Sequence, residues 1–365
     1  MVRILVTNAG STSLKLRVVE DDDRVIETAD LDPPGASLRD QLRRFLISVG
    51  SIDAIGHRVV HGGIRFTDPV LIDPGTRAEL DAVSDLAPLH NPPALAAIDA
   101  LTHLAPNVPA VVCFDTAFHR SLKAASSTYA LPKVWVDRWG VRRFGFHGLS
   151  CEWSVGRAAG LLERPADSLR LVICHLGGGA SVTATANGSS VDTTMGFTPT
   201  EGLVMATRPG DVDPGAIAWL SSRGVGPDEL MDALERRSGL LALSDGLSGD
   251  MQVLLERRAQ GDPAAMLAVE IYVHRLRAKI AAMAAATEGT DALVFTAGVG
   301  EHASEIRADT CRHLSWLGIS IDDAANQTVN AEDVDISGDD ADIRTLVIHA
   351  REELVVAAGC RRVLS

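Results

Sequence analysis

Two stretches of this chain, far apart, repeat one arrangement of apolar and polar positions. Residues 4–6 are apolar, a polar turn follows over Asn8-Ala9-Gly10-Ser11-Thr12-Ser13, and Leu14, Leu16 and Val18 then alternate with polar residues, which predicts a β-hairpin. Residues 171–176 are again apolar, Gly177-Gly178-Gly179 supplies the turn, and alternation resumes through Ser181-Val182-Thr183-Ala184-Thr185, so Gly10 and Gly179 hold equivalent places. The repetition reads as a weak internal duplication. Each half then alternates strands with helices, for instance a buried strand over residues 110–114 that ends at Asp115, and the class predicted is α/β. Pro33-Pro34-Gly35 and Asp73-Pro74-Gly75 predict surface turns.

A long helix is predicted over residues 264–287, because Asp262 can cap it, Pro263 suits a first turn and Gly289 stops it. Its apolar residues Met266, Val269, Val273, Leu276, Ile280 and Met283 step by three and four, as in a core helix or an oligomer seam. A further strand-turn unit over residues 292–301 leads into a helical pattern around Ile306, and its glycines let a ligand approach a helix N-terminus.

A chain of 365 residues exceeds what one core usually organises, so two domains of about 100 to 200 residues are expected. With 34 Lys plus Arg against 48 Asp plus Glu the net charge is −14, and basic residues come only in scattered pairs, which argues against nucleic acid as a partner. Cys113, Cys151, Cys174, Cys311 and Cys360 lie far apart without metal-type spacing and read as reduced, mostly buried thiols. The first residues turn polar too soon for a signal peptide and no apolar stretch would span a bilayer, so a cytoplasmic protein without membrane contact is expected.

Against this acidic background, His57-Arg58-Val59-Val60-His61-Gly62-Gly63, Gly145-Phe146-His147-Gly148 and Thr207-Arg208-Pro209-Gly210-Asp211 concentrate cations and imidazoles among glycines, which points to an anion-handling site. Strand alternation puts Arg58 and Val60 on one face, a guanidinium beside a small apolar group, suited to a molecule with a carboxylate at one end and a methyl at the other. Arg208 sits in a rigid stretch with two carboxylates and two prolines, and Arg is the preferred bidentate partner of carboxylate and phosphate. The glycine turns either cradle phosphates with successive backbone N–H groups or are ordinary hairpins. Asp115 is an active-site carboxylate at a strand's carboxyl end, or else an N-cap or turn residue. Glu352 and Glu353 are magnesium ligands or a solvated helix start. His147 and His90 are catalytic or simply satisfied loop residues.

Taken in order, these segments resemble the acetate kinase family. The resemblance runs through Thr7-Asn8-Ala9-Gly10-Ser11-Thr12-Ser13-Leu14-Lys15, 57–63, 87–92, Phe114-Asp115-Thr116-Ala117-Phe118-His119, 145–148, His175-Leu176-Gly177, Met195-Gly196-Phe197-Thr198-Pro199, 201–214 and 295–301. It implies the duplicated actin-like ATPase fold with ribonuclease H-like halves, shared with sugar kinases and heat-shock chaperone ATPases, with an interdomain nucleotide cleft. Domains are expected over 1–118 plus 353–365 and over 119–352. Also implied is reversible transfer of a phosphoryl group from ATP to acetate, with Mg²⁺ or Mn²⁺ as cofactor and a homodimer as the assembly. By motif, Asn8 and Glu352 resemble the metal-side residues. Arg58 and Arg208 resemble the pair that grips acetate and the phosphoryl group, with His147 bonding that group and Asp115 organising metal and substrate. Val60, Leu89 and Pro199 would surround the methyl, with His90 beside the acyl site. Lys15, His175, Gly177, Gly178, Gly179, Asp211, Gly298, Val299 and Gly300 would serve the nucleotide.

Three departures stand out against the family pattern. Gly178 stands where Asn is usual, Glu301 is followed by His302 where Asn is usual, and Ala350-Arg351 precedes the acidic pair where Thr-Asn or Thr-Asp is usual. The chain is also shorter than typical members around residues 29–51. Propionate kinase is the rival within the class, since one methylene is worth only about 0.8 kcal/mol of burial. A conformational ATPase of the actin or chaperone type is the rival outside it, and fold alone does not separate the two.

Overall fold

In the computed structural model, which describes residues 2–10, 13–32 and 37–365, the duplication appears as two sheets of matching topology. The first sheet is built from β1 (Ile4–Ala9), β2 (Leu14–Val19), β3 (Val25–Leu31), β4 (Ala54–Val59), β5 (Val70–Leu71) and β6 (Ala110–Phe114), in the order β3-β2-β1-β4-β6-β5. The second uses β7 (Arg170–Leu176), β8 (Ala180–Ala186), β9 (Ser189–Thr193), β10 (Ala292–Thr296), β11 (Val334–Asp335) and β12 (Arg344–Val347), in the order β11-β12-β10-β7-β8-β9. Read from the other edge, the second order repeats the first. Each sheet has an antiparallel three-strand meander, then two strands parallel to its first strand, then a two-residue antiparallel edge.

The chain divides into two compact units, 1–120 with 146–153 and 351–365, and 121–145 with 154–350. The sequence-based borders at 118 and 352 differ from these by a few residues and do not include the 146–153 segment. In the first unit, helices Leu38–Val49 and Asn91–Leu104 cover one sheet face with Leu42, Phe45, Leu95, Ile98 and Leu101. The other face carries helix Glu352–Leu364, whose Leu354, Val356, Ala357 and Cys360 pack on Ile4, Val6, Ala54, Val111 and Cys113. That helix lies close to the strands because Gly56 has no side chain, and a Cβ there would collide with Val356 and Cys360.

In the second unit, helix Pro263–Ala286 begins as the sequence predicts: Asp262 accepts from the N–H groups of Ala264 and Ala265 at 3.0 Å, and Pro263 occupies the first turn. Val269, Val273, Leu276, Ile280 and Met283 are buried within the chain, so the stripe is core and not a seam, and only Met266 is exposed.

Two local expectations are corrected. Asp73-Pro74-Gly75 opens helix Pro74–Ala82, with the Asp73 carboxylate capping the Thr76 N–H at 2.7 Å, because Asp followed by Pro is also the grammar of a helix start. Residues 297–301 form most of a short helix, Ala297–His302, entered through a left-handed Ala297 (φ 63°), and a second helix, Ser304–Arg312, follows. The turns predicted at Pro33-Pro34-Gly35 and the hairpin residues Ser11 and Thr12 lie outside the described residues. All five cysteines are buried and unbridged. Among the described residues no helix is long and apolar enough to cross a membrane.

Candidate active site

Three parallel strands of the first unit deliver side chains to one end of their sheet. Asn8 on β1 is the register neighbour of Arg58 on β4, and Asp115 follows β6 directly. Carboxyl ends of parallel strands are where α/β proteins usually place their chemistry. The Arg58 Nε donates to Asp115 Oδ1 at 2.9 Å, its Nη2 donates to Asp115 Oδ2, and its Nη1 donates to Asn8 Oδ1 at 2.8 Å. Asn8 Nδ2 then donates to Glu352 Oε2 at 3.2 Å, and that carboxylate lies 3.7 Å from Arg58 Nε. Glu352 is the first residue of its helix and, half-buried, also a member of this cluster. Asp115 is no helix cap.

The Asp115 side chain is 1% exposed and that of Arg58 15%. Burial raises the Asp115 carboxyl, Arg58 opposes this and Glu352 adds to it, with a net rise to about 6. Burial alone would lower Arg58, but Asp115 and Glu352 outweigh it and hold the guanidinium above its ordinary range. Of the five N–H bonds of a guanidinium, three are engaged, which leaves two for a ligand. The cluster has one cation against two carboxylates.

The 145–148 motif reaches the same place through backbone contacts. Gly148 N–H donates to the Asp115 carbonyl at 2.9 Å, and a Cβ at Gly148 would strike that oxygen. His119 Nε2 is 2.8 Å from the Phe146 carbonyl, and the rings of Phe146 and His61 meet edge-on at 5.4 Å. His147, between them, has a left-handed backbone (φ 57°) and its carbonyl accepts from Cys151 at the start of helix Gly148–Leu161. His57 turns the other way from Arg58, toward Thr7 Oγ1 at 2.8 Å, and burial lowers its pKa to about 3, so it stays neutral. Val60 is buried just after β4, and Leu89 and His90 are half-buried in the turn before helix Asn91–Leu104.

Sequence reasoning missed Asn91. It is fully buried, its Oδ1 accepts from His61 N–H at 3.1 Å and its Nδ2 donates to the His61 carbonyl at 3.0 Å. This reciprocal pair pins the 60–63 segment to the Leu89-His90 turn. The available signal was an Asn ahead of two prolines, where a helix start offers backbone groups to pair.

In the second unit, Arg208 donates from Nη1 to the Pro199 carbonyl at 2.5 Å. No carboxylate lies within ion-pairing distance of it among the described residues, and desolvation, partly offset by Glu235, lowers its pKa to about 10. It remains a cation at neutral pH. The Pro199 segment is braced by Glu201, another residue missed from sequence. Glu201 accepts from Arg143 Nη2 at 2.6 Å and from the Tyr129 hydroxyl, while Arg143 Nη1 reaches the Thr194 and Met195 carbonyls. Asp211 has both oxygens engaged, Oδ1 by the Gly202 N–H at 2.9 Å and Oδ2 by Lys279. It supports the Arg208 loop.

The glycine runs of the second unit converge. Gly177 and Gly178, from the β7–β8 turn, and Gly298 and Val299, from helix Ala297–His302, line one cavity of about 930 Å³ with Tyr272 and His302. That volume suits a nucleoside. Gly179 and Gly300 are not on its wall, and Gly300 is instead buried against the Phe295 backbone. His175 is the penultimate residue of β7, its Nε2 near Gly177. Lys15 is exposed on β2, register-paired with Asn8.

The sequence profile described as the Acetokinase family matches residues 35–358. An acetate kinase from Thermotoga maritima is 39% identical over 398 aligned residues, covering 100% of this chain and 99% of the relative. The crystal structure of Porphyromonas gingivalis acetate kinase superposes with a TM-score of 0.92 at 32% identity, covering 100% of both chains. A propionate kinase from Francisella tularensis superposes at 0.91 with 33% identity, covering 98% of this chain and 99% of that one.

Proposed function

Since the chain belongs to the acetokinase family and is by that membership a phosphotransferase, we propose that it catalyses reversible, direct in-line phosphoryl transfer between ATP and acetate, giving ADP and acetyl phosphate. The observation that carries the reading is the state of the two arginines. Arg208 has no carboxylate within ion-pairing distance among the described residues, Glu235 acting on it only from farther off, and Arg58 is held rigidly by Asp115 and Asn8 with two N–H bonds to spare.

Acetate is already ionised at neutral pH, so the nucleophile needs no general base. The obstacle is repulsion between a carboxylate and a polyphosphate. Positively charged groups fixed in advance lower that barrier and stabilise charge on the transferring oxygens. Arg58 would orient the carboxylate, with Val60 and Leu89 as apolar neighbours for the methyl, and His147 would donate to the phosphoryl group. Arg208 would hold phosphoryl oxygens, next to Pro199. The cavity bounded by Gly177, Gly178, Gly298 and Val299 would take the nucleoside, with backbone N–H groups of the glycine turn toward its phosphates.

The donor set at Asn8, Asp115 and Glu352 fits Mg²⁺ or Mn²⁺. It consists of hard oxygens, two of the three residues being carboxylates, with one negative charge in excess once Arg58 is counted, and no cluster of three or more His, Cys, Asp or Glu able to cage a metal occurs among the described residues. Such a set matches a cation shared between one or two carboxylates, water and substrate phosphates. When bound, the cation would neutralise phosphate charge. Asn8 and Glu352 would hold it, and Asp115 would act mainly by fixing Arg58.

The test is to trap acyl phosphate as a hydroxamate with acetate, propionate and butyrate in parallel, with and without divalent cation. Hydroxamate from acetate that requires ATP and the cation is expected. Hydrolysis of ATP that acetate does not divert into acetyl phosphate would favour a conformational ATPase. A second reading, propionate as the preferred acid, is favoured by the likeness to the Francisella tularensis propionate kinase and is decided by the same assay. We also propose a homodimer.

A further inference from the structure

Two of the three departures from the family pattern, His302 and the segment before Glu352, come together in the second unit around one carboxylate. Glu301 Oε1 accepts from the Ala350 N–H at 2.9 Å, while Oε2 lies 3.9 Å from His302 Nε2 and 4.0 Å from His349 Nε2. Glu301 is 11% exposed at its side chain, and its main-chain carbonyl accepts from the buried Arg307 at 2.8 Å. Both ends of the residue are therefore fixed.

Residues 348–350 run on beyond the end of β12, and each N–H is held. Ile348 donates to the Phe295 carbonyl at 2.9 Å, His349 to Asp333 Oδ1 at 2.8 Å and Ala350 to Glu301. Asp333 is itself gripped by Arg157 at 2.5 Å, and its Oδ1 lies 3.4 Å from His349 Nδ1. Glu352 follows Ala350 by two residues in the chain. Glu301 belongs to the short helix whose Gly298 and Val299 line the 930 Å³ cavity.

We propose that Glu301 is a positioning residue that ties the occupancy of that cavity to the placement of residues 350–352, acting through the Ala350 N–H and never touching substrate. His349 and His302 lie beside the second Glu301 oxygen, and the Ala350 N–H is the contact that fixes the carboxylate. The inference rests on the reading of the cavity as the nucleotide site. A ligand pressing on Gly298 and Val299 moves the helix that carries Glu301. Residue 350 moves with it, and so does the start of the segment that delivers Glu352.

The experiment is amide hydrogen exchange on the full chain, with and without ADP. In the wild type, ADP should protect peptides covering 298–302 and also those covering 348–353. In Glu301→Ala the second protection should vanish while the first remains, and kcat should fall about tenfold with the KM for acetate unchanged. Glu301→Gln, which keeps an acceptor oxygen, should restore both. Glu301→Asp, one methylene too short to reach Ala350, should behave as Ala and carries the test if the Ala variant does not fold. Undiminished protection of 348–353 in Glu301→Ala or Glu301→Asp overturns the coupling. Protection at 298–302 in the wild type with none at 348–353 overturns it too, leaving the nucleotide reading intact. Absence of ADP protection at both places overturns the nucleotide reading and the coupling with it.

Discussion

Asp115 is almost fully enclosed, and it works as an anchor for Arg58 only while ionised. Its carboxyl is raised by burial, with Arg58 opposing and Glu352 assisting, from 3.8 to about 6. A carboxyl raised in the folded state binds its proton more tightly when folded, so its contribution to stability is complete below about pH 4 and is lost as pH rises through 6. Activity runs the opposite way, because protonation releases one of the two Asp115 bonds to Arg58. An acid limb near pH 6 is therefore expected in the pH profile of kcat/KM, and Asp115→Asn should lower the plateau and remove that limb. A limb unchanged in the Asn variant would assign it to another group. Removing the guanidinium is harsher. Arg58→Ala strands the Asp115 charge and should cost about 3 to 5 kcal/mol in urea unfolding, with Lys a poor substitute for the planar fork. Gly178 is the opposite case, since a Cβ there meets no atom within 4 Å and its φ is not in the left-handed range. Gly178→Asn should fold normally and, if its amide reaches a phosphate oxygen, tighten ADP binding by about 1.5 to 3 kcal/mol in calorimetry. Unchanged affinity in a folded variant would mean the backbone N–H groups of the turn suffice.

Elements with a strong local rhythm were readable from the chain. The glycine-turned hairpins follow period two, and helix Pro263–Ala286 carries its own start and stop signals, so neither depends on distant residues. The two-residue strands Val70–Leu71 and Val334–Asp335 were invisible, because they exist only as partners of a neighbouring strand. The Asp73-Pro74 pair failed for a different reason: the same residues serve a turn and a helix cap. In the site, Arg58, Asp115 and Glu352 were legible by type and Asn8 only through the family resemblance, yet their contacts span 50, 57 and 344 residues of sequence, and spacing holds no information at that range. Asn91 and Glu201 were missed because their task is to satisfy backbone and neighbouring polar groups, which only the folded chain brings near. Gly148 joins both levels. It lets the first turn of helix Gly148–Leu161 touch the Asp115 carbonyl, so Gly148→Ala should push the helix off, lower stability by about 1 to 3 kcal/mol and depress kcat more than that loss explains at temperatures where the variant is folded. Thermal unfolding and kinetics on the same sample separate the two effects, and normal turnover would show that the helix start does not govern Asp115.

At the scale of the whole molecule, one apolar element of the second unit is left largely uncovered by the described residues, with only the Arg223 guanidinium lying over its Trp219 ring at 4.9 Å. Helix Pro214–Ser222 contains Ala216, Ile217, Ala218, Trp219 and Leu220 and has no buried residue, and its neighbour Pro227–Arg236 has none either. Trp219 is 57% exposed and Met231 45%. A large aromatic left in water forgoes about 1.5 to 3 kcal/mol of burial, and a cluster of such groups marks an interface more readily than a solvated surface. A second copy of the chain is the occupant proposed, because a twofold interface needs only one self-complementary patch. This surface replaces the stripe on helix Pro263–Ala286, whose residues are already spent on the core. The helix follows directly on the Arg208 loop, with Asp213 capping it through the Gly215 N–H at 2.8 Å, so covering it would also steady that loop. Light scattering at micromolar concentration should give twice the mass of 38.6 kDa. Trp219→Glu should give a monomer that still binds ADP but turns over more slowly. If the wild type is monomeric, or the Glu variant remains a dimer, this face is not the contact and the exposed tryptophan has another partner.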